Sequence, residues 1–177
     1  MKINGVSIIN FKSKNQLYQC DVILDGKFLG SFKQSNGYSD NYSFDKTILE
    51  NSKEYFKNSK LYKISCFKVS ENTYSDFYTV NMFINDLCDI YQDEMIFKNL
   101  IRKNKDIRCI LIAESLITNE ILYSGIIKES DIDIKKKEMK YMLNGSAIFR
   151  IYYDLKDFEF DNRDFNNKDK ERKNICF

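Results

Sequence analysis

The chain has 177 residues, of which 43% are hydrophobic and 31% charged, a composition typical of a globular protein long enough to bury a core. It contains no His, Pro or Trp, so the usual general base near neutral pH and the commonest metal ligand are both missing. Catalysis by Ser-His-Asp or Cys-His, and zinc sites that use His, are therefore excluded within one chain. A formal net charge of +2 gives no support for a polyanionic partner.

The composition also bears on the compartment. No apolar run approaches the roughly 18 residues of a membrane span. The first residues, MKINGVSIINFK, lack the apolar core and cleavage site of a signal peptide. We therefore expect a soluble protein of the cytoplasm, which is the host cytoplasm if a phage encodes it. The preference for Lys, Asn and Ile, whose codons are rich in A and T, indicates an AT-rich genome and weakens the lysines as a sign of nucleic-acid binding.

The cysteines lie far apart in the chain and form no CxxC pair. They are Cys20, Cys66, Cys88, Cys109 and Cys176. Their odd number rules out a complete set of internal disulfides. We predict reduced, mostly buried thiols instead of a metal or redox site, and we expect no cofactor.

The N-terminal part predicts a meander of antiparallel strands. A strand over residues 6–11 is followed by a period-two pattern over 18–24, with apolar side chains at every second position from Tyr18 to Leu24, which indicates a second strand. Asp25 and Gly26 come next, and this dipeptide favours the positive φ angles of a tight hairpin turn. The returning strand is predicted over residues 28–32.

The middle of the chain predicts two helices with a strand between them. Asp45 is placed to cap a helix over about 46–58. A strand over 61–69 follows. The long helix is predicted from about Phe77 to Arg102, with most of its apolar residues within one half of a helical wheel. Its other half carries three carboxylates at i, i+3 and i+7, namely Asp86, Asp89 and Asp93.

The C-terminal part predicts strands over 108–113 and 120–127, a helix over 131–143 and a last strand over 147–155. Ile132, Met139, Met142 and Leu143 are expected to face inward, and Asn144-Gly145 to end the helix. From Lys156 onward mixed charges indicate a mobile tail.

These elements predict the α+β class. We expect a single domain over residues 1–155, followed by a charged tail over 156–177. An antiparallel sheet is built from the N-terminal meander and the C-terminal strands, with one long and two shorter helices.

The hairpin and the loop after it carry a family resemblance. Asp25, Gly26, Lys27 and Gly30 form a DGK-x-x-G hairpin. The loop that follows is rich in Asn and Gly, and its matching residues are Asn36, Gly37, Asn41 and Tyr42. In these features the chain resembles a family of small, mostly uncharacterised proteins from bacteria, phages and other mobile elements, whose loop ends in N-x-Y. The resemblance implies an origin in a phage or mobile element, and it carries no established reaction.

The loop is the first candidate site, with two interpretations. In the structural one, Asn and Gly occupy left-handed turn positions and Tyr42 packs against the hairpin. In the functional one, the loop is a recognition surface, because adaptable polar groups beside tyrosines suit binding. The candidate residues are Asn36, Gly37, Tyr38, Asp40, Asn41 and Tyr42.

Two charged groups are further candidates. The carboxylates Asp86, Asp89 and Asp93 form either a solvated helix face or a negative surface that meets a basic groove on a partner. The cations near the end of the long helix either contact phosphate or complement the helix dipole. They are Lys98, Arg102, Lys103, Lys105 and Arg108, and a second basic run spans Lys135 to Lys137 with Lys140.

These features predict a non-catalytic binding protein of a phage or mobile element. Its expected role is an anti-defence, anti-CRISPR-like inhibitor that binds a host protein or ribonucleoprotein complex with nuclease activity. The alternative is a small nucleic-acid or nucleotide-binding protein. A third class is an enzyme that uses carboxylates, Cys or Tyr without His.

Overall fold

A computed structural model describes residues 1–14, 17–35, 40–57, 78–115, 117–118, 120–145 and 147–160. The described residues divide into two compact units, one formed by 1–92 with 158–160 and the other by 93–157. The single domain expected over 1–155 stays a prediction, and the strand expected over 61–69 lies outside the described residues. Within those residues, no helix combines the length and the apolar character needed to cross a membrane.

The class is α+β, as predicted, with antiparallel pairing dominant. In chain order, the strands of the described residues are β1 (Lys2–Ile3), β2 (Val6–Lys14), β3 (Leu17–Leu24), β4 (Lys27–Lys33), β5 (Asn41–Tyr42), β6 (Cys109–Ser115), β7 (Ile121–Ile126), β8 (Ala147–Tyr152) and β9 (Glu159–Phe160). The α-helices there are α1 (Glu50–Lys57), α2 (Val80–Lys103) and α3 (Ile132–Met142). The long helix is thus one of three.

The first unit contains a sheet in the order β5-β4-β3-β2-β1-β9. All neighbours in it are antiparallel except β1 and β9, which pair in parallel. The predicted meander is therefore confirmed, with a parallel strand added at one edge. A 3₁₀ turn over Lys46–Leu49 leads into α1, and the Asp45 side chain caps it by accepting from the backbone N–H of Thr47 at 3.0 Å.

The DGK-x-x-G hairpin has a local explanation. Asp25 and Gly26 have φ angles of 49° and 81°, the positive values that a tight two-residue hairpin turn needs. The register then shifts, because Val22 faces Gly30 while Ile23 faces Phe28, which indicates a β-bulge in β4. At Gly30 the bulge brings the backbone so close to the chain after β5 that a Cβ would lie 2.6 Å from Ser43 Oγ.

The core of the first unit lies between the sheet and the N-terminal half of α2. Its strands contribute Val6, Ile8, Cys20, Val22 and Phe32, and α2 contributes Val80, Phe83, Ile84, Leu87 and Cys88. The Sγ atoms of Cys20 and Cys88 lie 3.9 Å apart, so β3 packs directly against the helix. Cys20, Cys88 and Cys109 are free and buried, as expected, and Cys66 and Cys176 lie outside the described residues.

The second unit contains a separate sheet in the order β7-β6-β8, with both pairs antiparallel. The antiparallel meander and C-terminal strands that the sequence predicted are therefore present, and the structure divides them between two sheets, because strand patterns reveal faces but not partners. One face of this sheet is covered by α3 through a cluster of Cys109, Leu111, Ala113, Ile126, Met139, Leu143 and Ile151.

Two details of the C-terminal prediction are corrected. Met142 was expected to face inward, but it is 64% exposed because Met139 and Leu143 point at the sheet and Met142 lies about 100° around the helix from Leu143. The mobile tail was expected from Lys156, but residues 155–158 form a 3₁₀ turn, Phe158 is buried and β9 pairs with β1. Residues 161–177 lie outside the described residues.

Replacing Gly30 by Ala should lower the free energy of unfolding by about 2–4 kcal/mol, because the added Cβ collides with Ser43 and Phe44 and the positive φ adds backbone strain. The matched control is Gly26→Ala, since φ there is also positive but nothing lies within 4 Å of an added Cβ. The control should lose only about 1 kcal/mol from backbone strain. Urea unfolding followed by circular dichroism measures both variants, and equal losses would contradict the close approach at Gly30.

Candidate functional site

The described end of the 36–42 loop is built into the sheet. Asn41 and Tyr42 form β5, in which Tyr42 lies opposite Phe32. The Tyr42 ring centroid lies 5.2 Å from that of Phe32 and 5.4 Å from that of Phe44. Tyr42 therefore packs against the hairpin, as the structural interpretation of the loop expects.

Hydrogen bonds also tie this end of the loop to the start of α2. The Tyr42 hydroxyl donates to Asn81 Oδ1 at 2.6 Å, and Asn81 Nδ2 donates to Asp40 Oδ2 at 2.9 Å. The other carboxylate oxygen of Asp40 accepts from the backbone N–H of Ser35 at 3.1 Å. Burial, and then the charge of Asp40, raise the pKa of Tyr42, so its hydroxyl stays protonated and keeps donating.

The structure therefore describes some of the candidate loop residues and not others. Asp40 and Tyr42 have structural partners, and Asn41 is exposed. Asn36, Gly37 and Tyr38 lie outside the described residues, so the predicted recognition surface stays a prediction.

Two of the three predicted carboxylates on α2 accept hydrogen bonds from tyrosines of the first unit. The Tyr78 hydroxyl donates to buried Asp86 through a short contact. The Tyr18 hydroxyl donates to Asp89 Oδ1 at 2.5 Å, and Asp89 is half-buried. Each carboxylate is therefore engaged by a phenol donor.

The third carboxylate, Asp93, belongs to a buried ionic cluster in the second unit. Asp93 is 2% exposed, and Arg150 Nε donates to its Oδ2 at 2.7 Å while Nη2 donates to its Oδ1 at 3.2 Å. The Tyr152 hydroxyl donates to the same carboxylate at 2.8 Å, and Arg150 Nη1 donates to Glu114 at 2.5 Å. The guanidinium thus bridges two carboxylates in the fork geometry that arginine favours.

Burial determines the protonation chemistry of this cluster. It raises the pKa of Asp93, and this effect outweighs the opposing influence of Arg150 and Tyr152. Burial alone lowers the pKa of Arg150, but the neighbouring Asp93 raises it well above the ordinary value, so the guanidinium stays charged. Burial also raises the pKa of Tyr152, which therefore remains a donor.

The solvated helix face expected for Asp86, Asp89 and Asp93 is thus wrong for Asp86 and Asp93, and the three carboxylates do not form an exposed acidic surface. A helical wheel places polar residues opposite the apolar stripe, but it carries no information on donors elsewhere in the chain. Here Tyr78, Tyr18 and Arg150 supply those donors.

The predicted cations do lie on the surface. Lys98 is exposed and pairs with Glu94, its Nζ 2.9 Å from Oε1. Arg102 and Lys103 occupy the last turn of α2, where cations complement the helix dipole. Together with Lys105 and Arg108 in the segment before β6 they form an exposed group that we call the basic turn (Arg102, Lys103, Lys105 and Arg108).

An exposed apolar surface on α3 was not predicted from the sequence. Ile134 is 59% exposed and Tyr141 86% exposed, and exposed Met142 lies beside them. We call these three residues the outer face of α3. The available signal was the seven-residue spacing of Ile134 and Tyr141, which places them on one side of the helix, opposite buried Met139 and Leu143.

In the described part of the chain, no group of three Cys, Asp or Glu side chains has an arrangement that could hold a metal ion. Comparisons with known proteins add no family: no protein-family model, no curated protein and no solved structure matches this chain. The family resemblance carried by the hairpin and loop therefore stays a prediction.

Arg150→Met should lower the free energy of unfolding by about 3–5 kcal/mol, because it leaves Asp93 buried without its cation. The triple variant Arg150→Met/Asp93→Leu/Tyr152→Phe should recover most of that loss, since apolar side chains then replace both the buried ion pair and the phenol that donates to it. The control is Lys156→Met at an exposed position, which should change stability by less than about 0.5 kcal/mol. If Arg150→Met loses no more than this control in urea unfolding, the buried cluster does not stabilise the fold.

Proposed function

We propose that this chain is a non-catalytic binding protein that docks on a partner protein through the outer face of α3. The observation that supports the proposal is the exposure of Ile134 and Tyr141 on the solvent side of a helix whose other side is packed. Large apolar side chains exposed together on a soluble protein are typical of interaction surfaces.

The geometry suits recognition of a helix in a groove. Ile134 and Tyr141 are two helical turns apart, so they project from the same side with a rise of about 10 Å between them. Met139 and Leu143 hold the opposite side against the sheet. The sheet thus supports a rigid helix that presents two anchors, the spacing used when an amphipathic helix enters an apolar groove.

Charge on α3 specifies the chemistry of the partner. The helix carries four lysines and two carboxylates between Ile132 and Met142. Glu138 is paired with Lys135 at 2.6 Å, and exposed Lys137 and Lys140 lie on one side of Tyr141 around the helix. A groove with an apolar floor and an acidic rim is therefore the complementary surface.

The proposed biological role is an anti-defence, anti-CRISPR-like inhibitor that occupies a site on a host nuclease complex. The resemblance of the hairpin and loop to proteins of phages and mobile elements motivates this role. Because Asp86 and Asp93 are buried, the proposed inhibitor does not imitate nucleic acid through those carboxylates. It binds a protein surface of the complex through α3.

Immobilised wild-type chain should recover a partner from host lysate in a fixed stoichiometry, and Ile134→Ser/Tyr141→Ser should reduce that recovery by at least about tenfold, because both anchors are lost. The matched control is Phe28→Ser, which removes an exposed aromatic side chain in the first unit and should leave recovery unchanged. Quantitative mass spectrometry of the eluates measures both. Equal recovery by the double variant and the wild type would contradict docking through α3.

The inhibitor role is tested separately, by the nuclease activity of the recovered complex. The recovered complex should cleave its nucleic-acid substrate more slowly when wild-type chain is added, while Ile134→Ser/Tyr141→Ser should leave cleavage unaffected. A partner with no nuclease activity, or one whose activity the chain does not change, would contradict the inhibitor role but not the docking surface.

The alternative function, nucleic-acid binding, is favoured by the exposed basic turn at the end of α2. Four phosphate contacts predict that the logarithm of the affinity for single-stranded RNA falls with the logarithm of salt with a slope of about −3. Arg102→Gln/Lys103→Gln should reduce this slope by about 1.4, and Lys156→Gln should leave it unchanged. Fluorescence anisotropy with labelled oligonucleotides measures the slope, and no binding at low salt would exclude this function.

A further inference from the structure

We propose that the outer edge of β7 binds a second copy of this chain, so that two β7 strands pair antiparallel across a two-fold axis. This dimer edge lies outside the outer face of α3 and does not depend on the function proposed above. The proposal follows from the hydrogen-bonding pattern of β7, from its lack of charge and from the charges at its two ends.

The backbone pattern identifies which groups of β7 point away from its sheet. The sheet order places β7 at an edge of the described sheet, with β6 on its inner side. Ser115 N–H donates to the Glu120 carbonyl at 2.8 Å, which sets the alternation of the antiparallel ladder. The backbone groups of Ile121, Tyr123 and Gly125 therefore point away from β6, and no strand of the described residues pairs with them.

Nothing within β7 protects this edge in the ways that edge strands are usually protected. Its sequence, ILYSGI, has neither charge nor proline, and its six partners on β6 follow in register without a bulge. Tyr123 at its centre is 55% exposed. By contrast, β5 and β9 at the edges of the first sheet each have two residues within the described part of the chain, and short edge strands are themselves a protective feature.

Charges at the ends of β7 favour a second copy in the antiparallel orientation. Exposed Glu120 precedes the strand, and exposed Lys128, whose backbone is extended with φ −118° and ψ 126°, follows it. A two-fold axis at Tyr123 places Ile121 opposite Gly125 of the other copy. Glu120 then lies diagonal to Lys128 of that copy, at the roughly 7–8 Å spacing that long side chains bridge. A parallel pairing would instead bring like charges together.

The resulting interface is small but specific. Three residue pairs, each exchanging two N–H···O=C bonds, give about six backbone hydrogen bonds between the copies. The two Tyr123 rings meet at the axis, and a diagonal ion pair lies at each end. An interface of this size predicts a reversible dimer with a Kd on the order of micromolar.

Sedimentation velocity of the full chain over about 1–200 µM tests the dimer, because the 21.1 kDa monomer should convert to a species of twice that mass. Glu120→Lys and Lys128→Glu should each raise the dimer Kd by about tenfold through like-charge repulsion, and the combined variant should restore it. Tyr123→Pro should abolish the dimer, because it removes an outward N–H while leaving the bonds to β6 in place. Circular dichroism of each variant verifies the fold, and Tyr123→Lys replaces Tyr123→Pro if the proline variant does not fold.

The proposal is overturned by a wild-type chain that stays monomeric across the whole range. A dimer that Tyr123→Pro and Tyr123→Lys leave intact would also overturn it, and so would a dimer abolished by Ile134→Ser/Tyr141→Ser, since the copies would then meet elsewhere. Failure of the charge exchange to restore the dimer would contradict the antiparallel register.

Discussion

The fold depends most on the hydrogen bonds that the carboxylates along α2 accept. Asp86 and Asp93 are buried and Asp89 is half-buried, and each carboxylate meets a donor from another element. A buried carboxylate without such a donor destabilises a protein by several kcal/mol, a large part of the stability of a domain. The helix can therefore pack on both its apolar and its polar sides only because tyrosines and an arginine lie at the matching positions.

The same hydrogen bonds limit which surfaces of the molecule can bind a partner. Carboxylates that accept hydrogen bonds from tyrosines and a guanidinium are engaged within the fold, although the same residues look like an acidic surface in the sequence. Three surfaces of the described residues have a different character. They are the apolar side of α3 with its lysines, the exposed cations of the basic turn and the uncharged edge of β7, and all three belong to the second unit.

The hairpin shows how a short motif can have a purely local cause. Asp25 and Gly26 form the turn, and Gly30 lies where the bulged strand approaches Ser43. Both glycines are explained by backbone geometry without reference to a ligand. The DGK-x-x-G pattern therefore has a structural role. Between Asp25 and Phe44, the binding prediction now concerns the residues at the loop tip.

Local signals in the sequence determined the α+β class, the position of most elements and their caps. Four of these signals act within a few residues, so they can be recognised in the sequence without knowledge of the fold. They are the alternation in β3, the Asp25-Gly26 turn, the Asp45 cap and the Asn144-Gly145 helix end. Tertiary structure decided what depends on partners distant in the chain. It separated the C-terminal strands into their own sheet, buried Asp86 and Asp93, and left Ile134 and Tyr141 exposed. The reason is physical: a periodic pattern specifies which side of an element differs from the other, whereas burial depends on which distant side chains reach that side.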